Sequence, residues 1–202
     1  ISLSGFRPHE PLPYLGQLPC SPCCHGHGWN FEVMSVVLSG LETHALALQY
    51  PCRLPVWWAR HGEVAKDPHI RGVSGRNITI RIQKNFKRFE GLMARVLRAP
   101  KELRRPLDTM NSMLWELCDG SRTFVEICTV MNDVFQEEIS PVVHRTAQAL
   151  GLLQNHQLVL MLAEPLDGRW SVRPGVVPKN QELSELKEGH DYDLAALDEE
   201  MP

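Results

Sequence analysis

The chain lacks the features that announce most activities. No glycine-rich phosphate loop, paired-carboxylate motif or H-E-x-x-H helix occurs in its 202 residues. Its nine histidines stand without a nucleophile–base spacing. These absences leave an enzyme reading with little support, and a non-enzymatic role without cofactor is expected. No basic-headed apolar signal segment opens the chain, and no apolar run reaches the roughly 18 residues that a membrane span requires. A reducing, cytoplasmic setting is expected. Internal repeats are also missing. With a net charge of −3, the chain as a whole is no polyanion binder.

The even balance of charge hides two opposed blocks. Arg76 to Pro106 carries ten Lys/Arg against two acids, Glu90 and Glu102. Gln181 to Pro202 carries eight acids against one base, Lys187. Such a split points to a basic working surface and an acidic tail. The tail, residues 175–202, reads as a disordered solubilising extension that could also fold back on the basic surface.

Residues 1–70 read as an ill-defined N-terminal extension: 7–29 show neither helical nor strand periodicity, and 31–50 read as two short strands or a helix interrupted by Gly40. The chain opens on Ile1 and its first methionine is Met34. Two expectations stay open for residues 1–33: a fragment of a longer chain, or residues ahead of the native start. Within them, Cys20, Cys23, Cys24, His25 and His27 contain a C-x-x-C. A structural zinc site needs a second ligand pair at a defined distance, and only His44 and Cys52 follow, so no metal is expected. Cys118 and Cys128 lie inside apolar helical patterns and read as small buried hydrophobes.

From Arg76 the pattern becomes legible. Ile78, Ile80 and Ile82 alternate with polar residues and predict a half-buried strand. Phe86, Phe89, Met93, Val96 and Leu97 recur at helical spacing, predicting a helix with a basic outer face. A short extended segment, "ELRRPL", leads to a stripe of Leu107, Met110, Leu114 and Leu117. Gly120 suits the left-handed conformation that ends a helix. Thr123 and Glu126 then form a capping-box pair before Phe124, Ile127, Cys128, Met131 and Phe135. The Asp119–Thr123 turn is therefore read as structural. Ser140 is the expected N-cap of a third helix, with Pro141 at its first position. Gly151 predicts close packing or an early end to that helix. "QLVLML" reads as a strand whose partner is "WSVRP", across a turn at Asp167–Gly168. The order predicts an α+β domain over 76–174: a winged helix–turn–helix, with a three-helix core and a small antiparallel sheet.

"PLDTMNSMLWELCDGSRTFVEIC" resembles the core signature of the PqqD-like family. Leu107, Leu114, Trp115, Cys118, Asp119, Gly120, Thr123 and Ile127 carry the likeness, which extends over about 78–162. The resemblance implies a peptide chaperone, or recognition element for ribosomally made and modified peptides. Such a protein binds a precursor's leader and presents it to a modifying enzyme, often a radical S-adenosylmethionine protein. It also implies strand addition at Leu103, Arg104, Arg105 and Leu107, with Arg145, Thr146 and Ala149 facing the groove. Pro106 removes one donor from that edge.

Two other readings compete. The first is a winged-helix nucleic-acid binder using residues 76–106. Its expected reading helix holds a single cation, Arg145, too few donors for base readout, so nucleic acid is not the expected partner. The second is a structural subunit that docks on an enzyme through an exposed Trp57–Trp58.

Overall fold

A computed structural model describes residues 40–83, 102–179, 181–185 and 191–197. Among them the chain runs β1 (Tyr50–Arg53), β2 (Trp57–Val64), β3 (Arg76–Gln83), β4 (Glu102–Pro106), α1 (Thr109–Leu117), α2 (Phe124–Phe135), a 3-10 turn (Gln136–Ile139), α3 (Val142–Asn155), β5 (Val159–Leu162) and β6 (Tyr192–Asp193). The architecture is α+β, three helices with two small antiparallel sheets. β1 pairs with β5, and a four-stranded sheet has the order β4-β3-β2-β6.

The isoleucine alternation makes β3, and Ile78, Ile80 and Ile82 turn toward the helices. α1 starts at Asp108, whose carboxylate accepts the Asn111 amide at 2.7 Å. α2 starts at the capping box: the Thr123 hydroxyl accepts the Glu126 amide, and Glu126 accepts the Thr123 amide. The core joins Met113, Leu114, Trp115 and Leu117 of α1 to Phe124, Ile127 and Met131 of α2 and to Val142, Leu150 and Leu153 of α3. The buried stripes recur every three to four residues, which is what closes three short helices over one centre.

Several expectations change. The packed structure begins well ahead of residue 76: β1 pairs with β5 from Tyr50↔Leu162 to Arg53↔Val159, and β2 is the long partner of β3. β5 thus pairs with β1 and not with Trp170–Pro174. Residues 171–173 form no strand. Instead Trp170 Nε1 donates to the Arg53 carbonyl at 2.8 Å and Trp58 Nε1 donates to the Val172 carbonyl at 3.1 Å. Trp57 and Trp58 are buried, at 4% and 2% exposure, so neither is a docking handle.

Ser140 does not cap α3. Its amide donates to Glu137 and closes the 3-10 turn, and Pro141 takes the N-cap position one residue later. α1 ends with Cys118 as its C-cap, two residues before Gly120. Gly151 neither ends α3 nor packs closely, since a Cβ there would meet open space.

The tail also contributes. β6 pairs with β2 through Arg60↔Asp193 and His61↔Tyr192. The predicted basic helix at Phe86–Arg98, the Cys20–His27 stretch and the last acids of the tail lie outside the described residues.

Candidate functional site

β4 stands at the end of the four-stranded sheet, with β3 its strand neighbour among the described residues. Its far end is tied down by α1. Ser112 is buried, and its hydroxyl accepts the Ile78 amide at 3.0 Å and donates to the Leu107 carbonyl at 3.3 Å. One side chain thereby splices the first turns of α1 into the β3–β4 ladder. The Leu107 amide completes the splice by donating to the Ile78 carbonyl at 2.8 Å.

That bond fixes which way every main-chain group of β4 points. Directions alternate along an antiparallel strand, so Arg105 and Leu103 aim theirs at β3, as Leu107 does. Glu102, Arg104 and Pro106 aim theirs away from β3. Pro106 therefore removes a donor from the outer edge and not from the internal ladder.

The register separates the predicted edge residues by face. Leu103, Arg105 and Leu107 share the helix-side face with Ile82, Ile80 and Ile78. Leu107 packs against the core, Arg105 is half-buried, and Leu103 is 37% exposed at the rim. Arg104 lies on the opposite face with Glu102 and Arg81.

The opposite face holds a charge network. Arg81 is 2% exposed, and its guanidinium lies over the Trp57 ring, 4.7 Å from the centroid. Its Nη2 donates to Glu102 Oε2 at 2.8 Å and to the Ser184 carbonyl at 2.6 Å. Arg104 Nε donates to Glu102 Oε1 at 3.1 Å. Burial alone pushes the Glu102 carboxyl up. The hydrogen bonds from Arg81, Ser184 and Arg104, with the Arg81 charge, outweigh it and hold that carboxyl below its ordinary value. Ion pairs claim further cations elsewhere on the sheet: Arg76 pairs with Asp193 at 3.0 Å, and on the helix side the Arg60 Nε pairs with buried Glu116 of α1 at 2.6 Å.

On α3 the three expected groove positions separate. Thr146 is buried, with its hydroxyl beside the Cys128 thiol, and belongs to the core stripe Val142–Thr146–Leu150–Leu153. It cannot face an open groove. Arg145 is exposed and donates to the Glu138 carbonyl. Ala149 is half-buried against the core. Leu152, which the sequence reading passed over, shares the stripe of Arg145 and Ala149 and is 61% exposed. Its signal was an apolar residue one position off the buried stripe.

The Asp119–Glu126 corner has a structural use. Asp119 Oδ1 accepts the Ser121 amide at 2.8 Å, and its Oδ2 pairs with Arg122. The corner's main chain then bonds along the free side of β1. The Arg53 amide donates to Cys118 at 2.8 Å, Gly120 to Pro51 at 3.1 Å, and Phe124 to Gln49 at 2.8 Å. Gly120, at φ +80°, is where β1 comes nearest: a Cβ there would stand 2.8 Å from both Cys52 Sγ and Leu166 Cβ. Burial pushes the Cys52 thiol up to about 11 and the Cys128 thiol up to about 12, and raises Cys118 as well. These three thiols stay protonated and unreactive at neutral pH.

No group of three or more His, Cys, Asp or Glu among the described residues could hold a metal ion. No helix among them is long and apolar enough to cross a membrane. Comparison with protein-family models, with curated proteins and with solved structures finds no match to this chain.

Proposed function

We propose that this chain is a peptide-binding adaptor of the PqqD-like kind, a winged helix–turn–helix that captures an extended peptide by adding it as a strand beside β4. The observation that carries this reading is the position of β4 at the end of the sheet order, immediately before the three helices. A peptide laid there would gain main-chain bonds from the outward-pointing groups of Glu102, Arg104 and Pro106. Its alternate side chains would lie on the helix side with Leu103, Arg105 and Leu107. Arg145, Ala149 and Leu152 on α3 would supply contacts that select among peptides.

The partner is a precursor peptide whose leader is presented to a modifying enzyme, of which a radical S-adenosylmethionine enzyme is the type that the resemblance suggests. The adaptor itself does no chemistry, needs no cofactor and works in the cytoplasm. The nucleic-acid alternative is the weaker one. Arg76, Arg81 and Arg104, three cations of the basic segment, are held by carboxylates, which leaves them poor donors to phosphate.

The test is selection of binding peptides from a displayed random library, followed by NMR of the complex. Nuclear Overhauser contacts between the peptide backbone and that of Glu102–Pro106 are expected. Selected peptides that contact only other surfaces, or duplex DNA binding that falls steeply with salt in their place, would overturn the reading.

A further inference from the structure

The register of β4 says more than that a peptide fits there; it specifies which peptide. On the helix side the strand offers an alternating row: Leu103, then Arg105, then Leu107. Leu107 is packed on the core and Leu103 is 37% exposed. Arg105 is half-buried between them, and no carboxylate among the described residues lies within ion-pair distance of it. The contrast with its neighbour is sharp. Arg104, on the other face, shares Glu102 with Arg81.

Because the main-chain groups of Leu103 and Arg105 point at β3, a strand added on the outer side meets these residues at non-hydrogen-bonded positions. There the side chains of opposed residues come closest, with Cβ atoms about 4.5–5.5 Å apart. Three consecutive helix-side positions of the ligand therefore face Leu107, Arg105 and Leu103 in turn. Apolar residues suit the two leucines, and a carboxylate suits the arginine.

We infer that the β4 edge selects an acidic peptide strand of the pattern apolar–x–acid–x–apolar, with the acid opposite Arg105. The row is symmetric about Arg105, so the pattern is the same for parallel and antiparallel docking. The intervening positions face Glu102, Arg104 and Pro106, where the one carboxylate is already bonded to both Arg81 and Arg104, and small polar side chains suit them. Pro106 offers an acceptor but no donor outward, so paired bonding in both directions stops at Arg104. This inference rests on the strand-addition reading and names the substrate class for that site.

The test uses three synthetic heptapeptides, TVTDTLT, TVTTTLT and TVTKTLT, blocked at both ends. Each is titrated into the full chain by NMR at about 0.15 M salt, where exposed charges beyond roughly 8 Å are screened. Backbone contacts to Glu102–Pro106 locate the peptide, and the titration gives Kd. The Asp peptide is expected to bind about three- to fivefold more tightly than the Thr peptide, with the Lys peptide weakest. Arg105→Glu should invert that order, and Arg105→Gln should flatten it. Arg105 is half-buried on an outer strand, so both variants should keep the parent's circular dichroism spectrum, which is checked first. If the peptides contact β4 with affinities within about twofold of one another, the charge rule fails and strand addition stands. If no peptide contacts β4, strand addition fails and takes the rule with it.

Discussion

Replacing Gly120 with alanine tests whether the corner between α1 and α2 is a buttress for β1. Two costs can be separated. Gly120 sits at φ +80°, a conformation that costs an L-residue about 1–2 kcal/mol. Independently, the new methyl would stand 2.8 Å from Cys52 Sγ, 2.8 Å from Leu166 Cβ and 3.1 Å from Cys52 Cβ. Both neighbours are buried, and Leu166 is held by the hydrogen bond its amide donates to the Gly120 carbonyl at 3.0 Å. Overpacking of that kind costs about 1–3 kcal/mol, giving a total of roughly 2–5 kcal/mol. Gly168 supplies the control. It has φ +70° with nothing within 4 Å of a Cβ, so Gly168→Ala should show the backbone cost alone, about 1–2 kcal/mol. Urea unfolding of the parent and both variants measures the difference, provided the slope m is unchanged. A Gly120→Ala midpoint no lower than that of Gly168→Ala would refute the close approach of β1 to the corner.

Two further outcomes follow from single residues. Gly151→Ala should stabilise the fold by about 1 kcal/mol in the same urea assay, because the helix continues past that residue and the added methyl meets open space. Glu102 predicts an acid limb: its carboxyl is held below its ordinary value in the fold, so its contribution is fully present above the unfolded value, near pH 4.3. That contribution is lost as pH falls through the lower folded value. Glu102→Gln should cost about 2 kcal/mol at pH 7 and flatten the decline below pH 4.3; a variant whose acid limb matches the parent's would contradict the role given to Arg81 and Arg104.

What the sequence made legible was periodic. The alternating isoleucines of β3, the capping box at Thr123 and the α2 stripe of Phe124, Ile127, Cys128, Met131 and Phe135 stand where the spacing puts them, because each is a local signal with one physical cause. β1 and β2 were illegible for a different reason. Arg53 of β1 and Arg60 of β2 are charged, yet both are buried. Arg53 and Arg60 lie 4.8 Å and 5.1 Å from the Trp58 ring centroid, and Arg81 lies over Trp57. An arginine stacked on tryptophan buries like a hydrophobe, which erases the alternation that marks a strand. β6 was too short to register. At the site, the extended character of "ELRRPL" was plain, but the division of its side chains between two faces needed the register. The groove position of Thr146 came from the resemblance alone, whereas the helical spacing of Val142, Thr146, Leu150 and Leu153 puts it in the core.

The pairing of β1 with β5 sets the order in which this protein can be finished as it is made. Tyr50 must wait for Leu162, and Arg60 for Asp193. A ribosome adding about 5–20 residues each second takes several seconds to pass from β2 to those late segments. During that interval the sides of β1 and β2 that later meet β5 and β6 have no partner strand. The segments from Val159 to Asp193 thus complete the first strands, and a chain that stopped before Val159 would leave both ladders without their second rail.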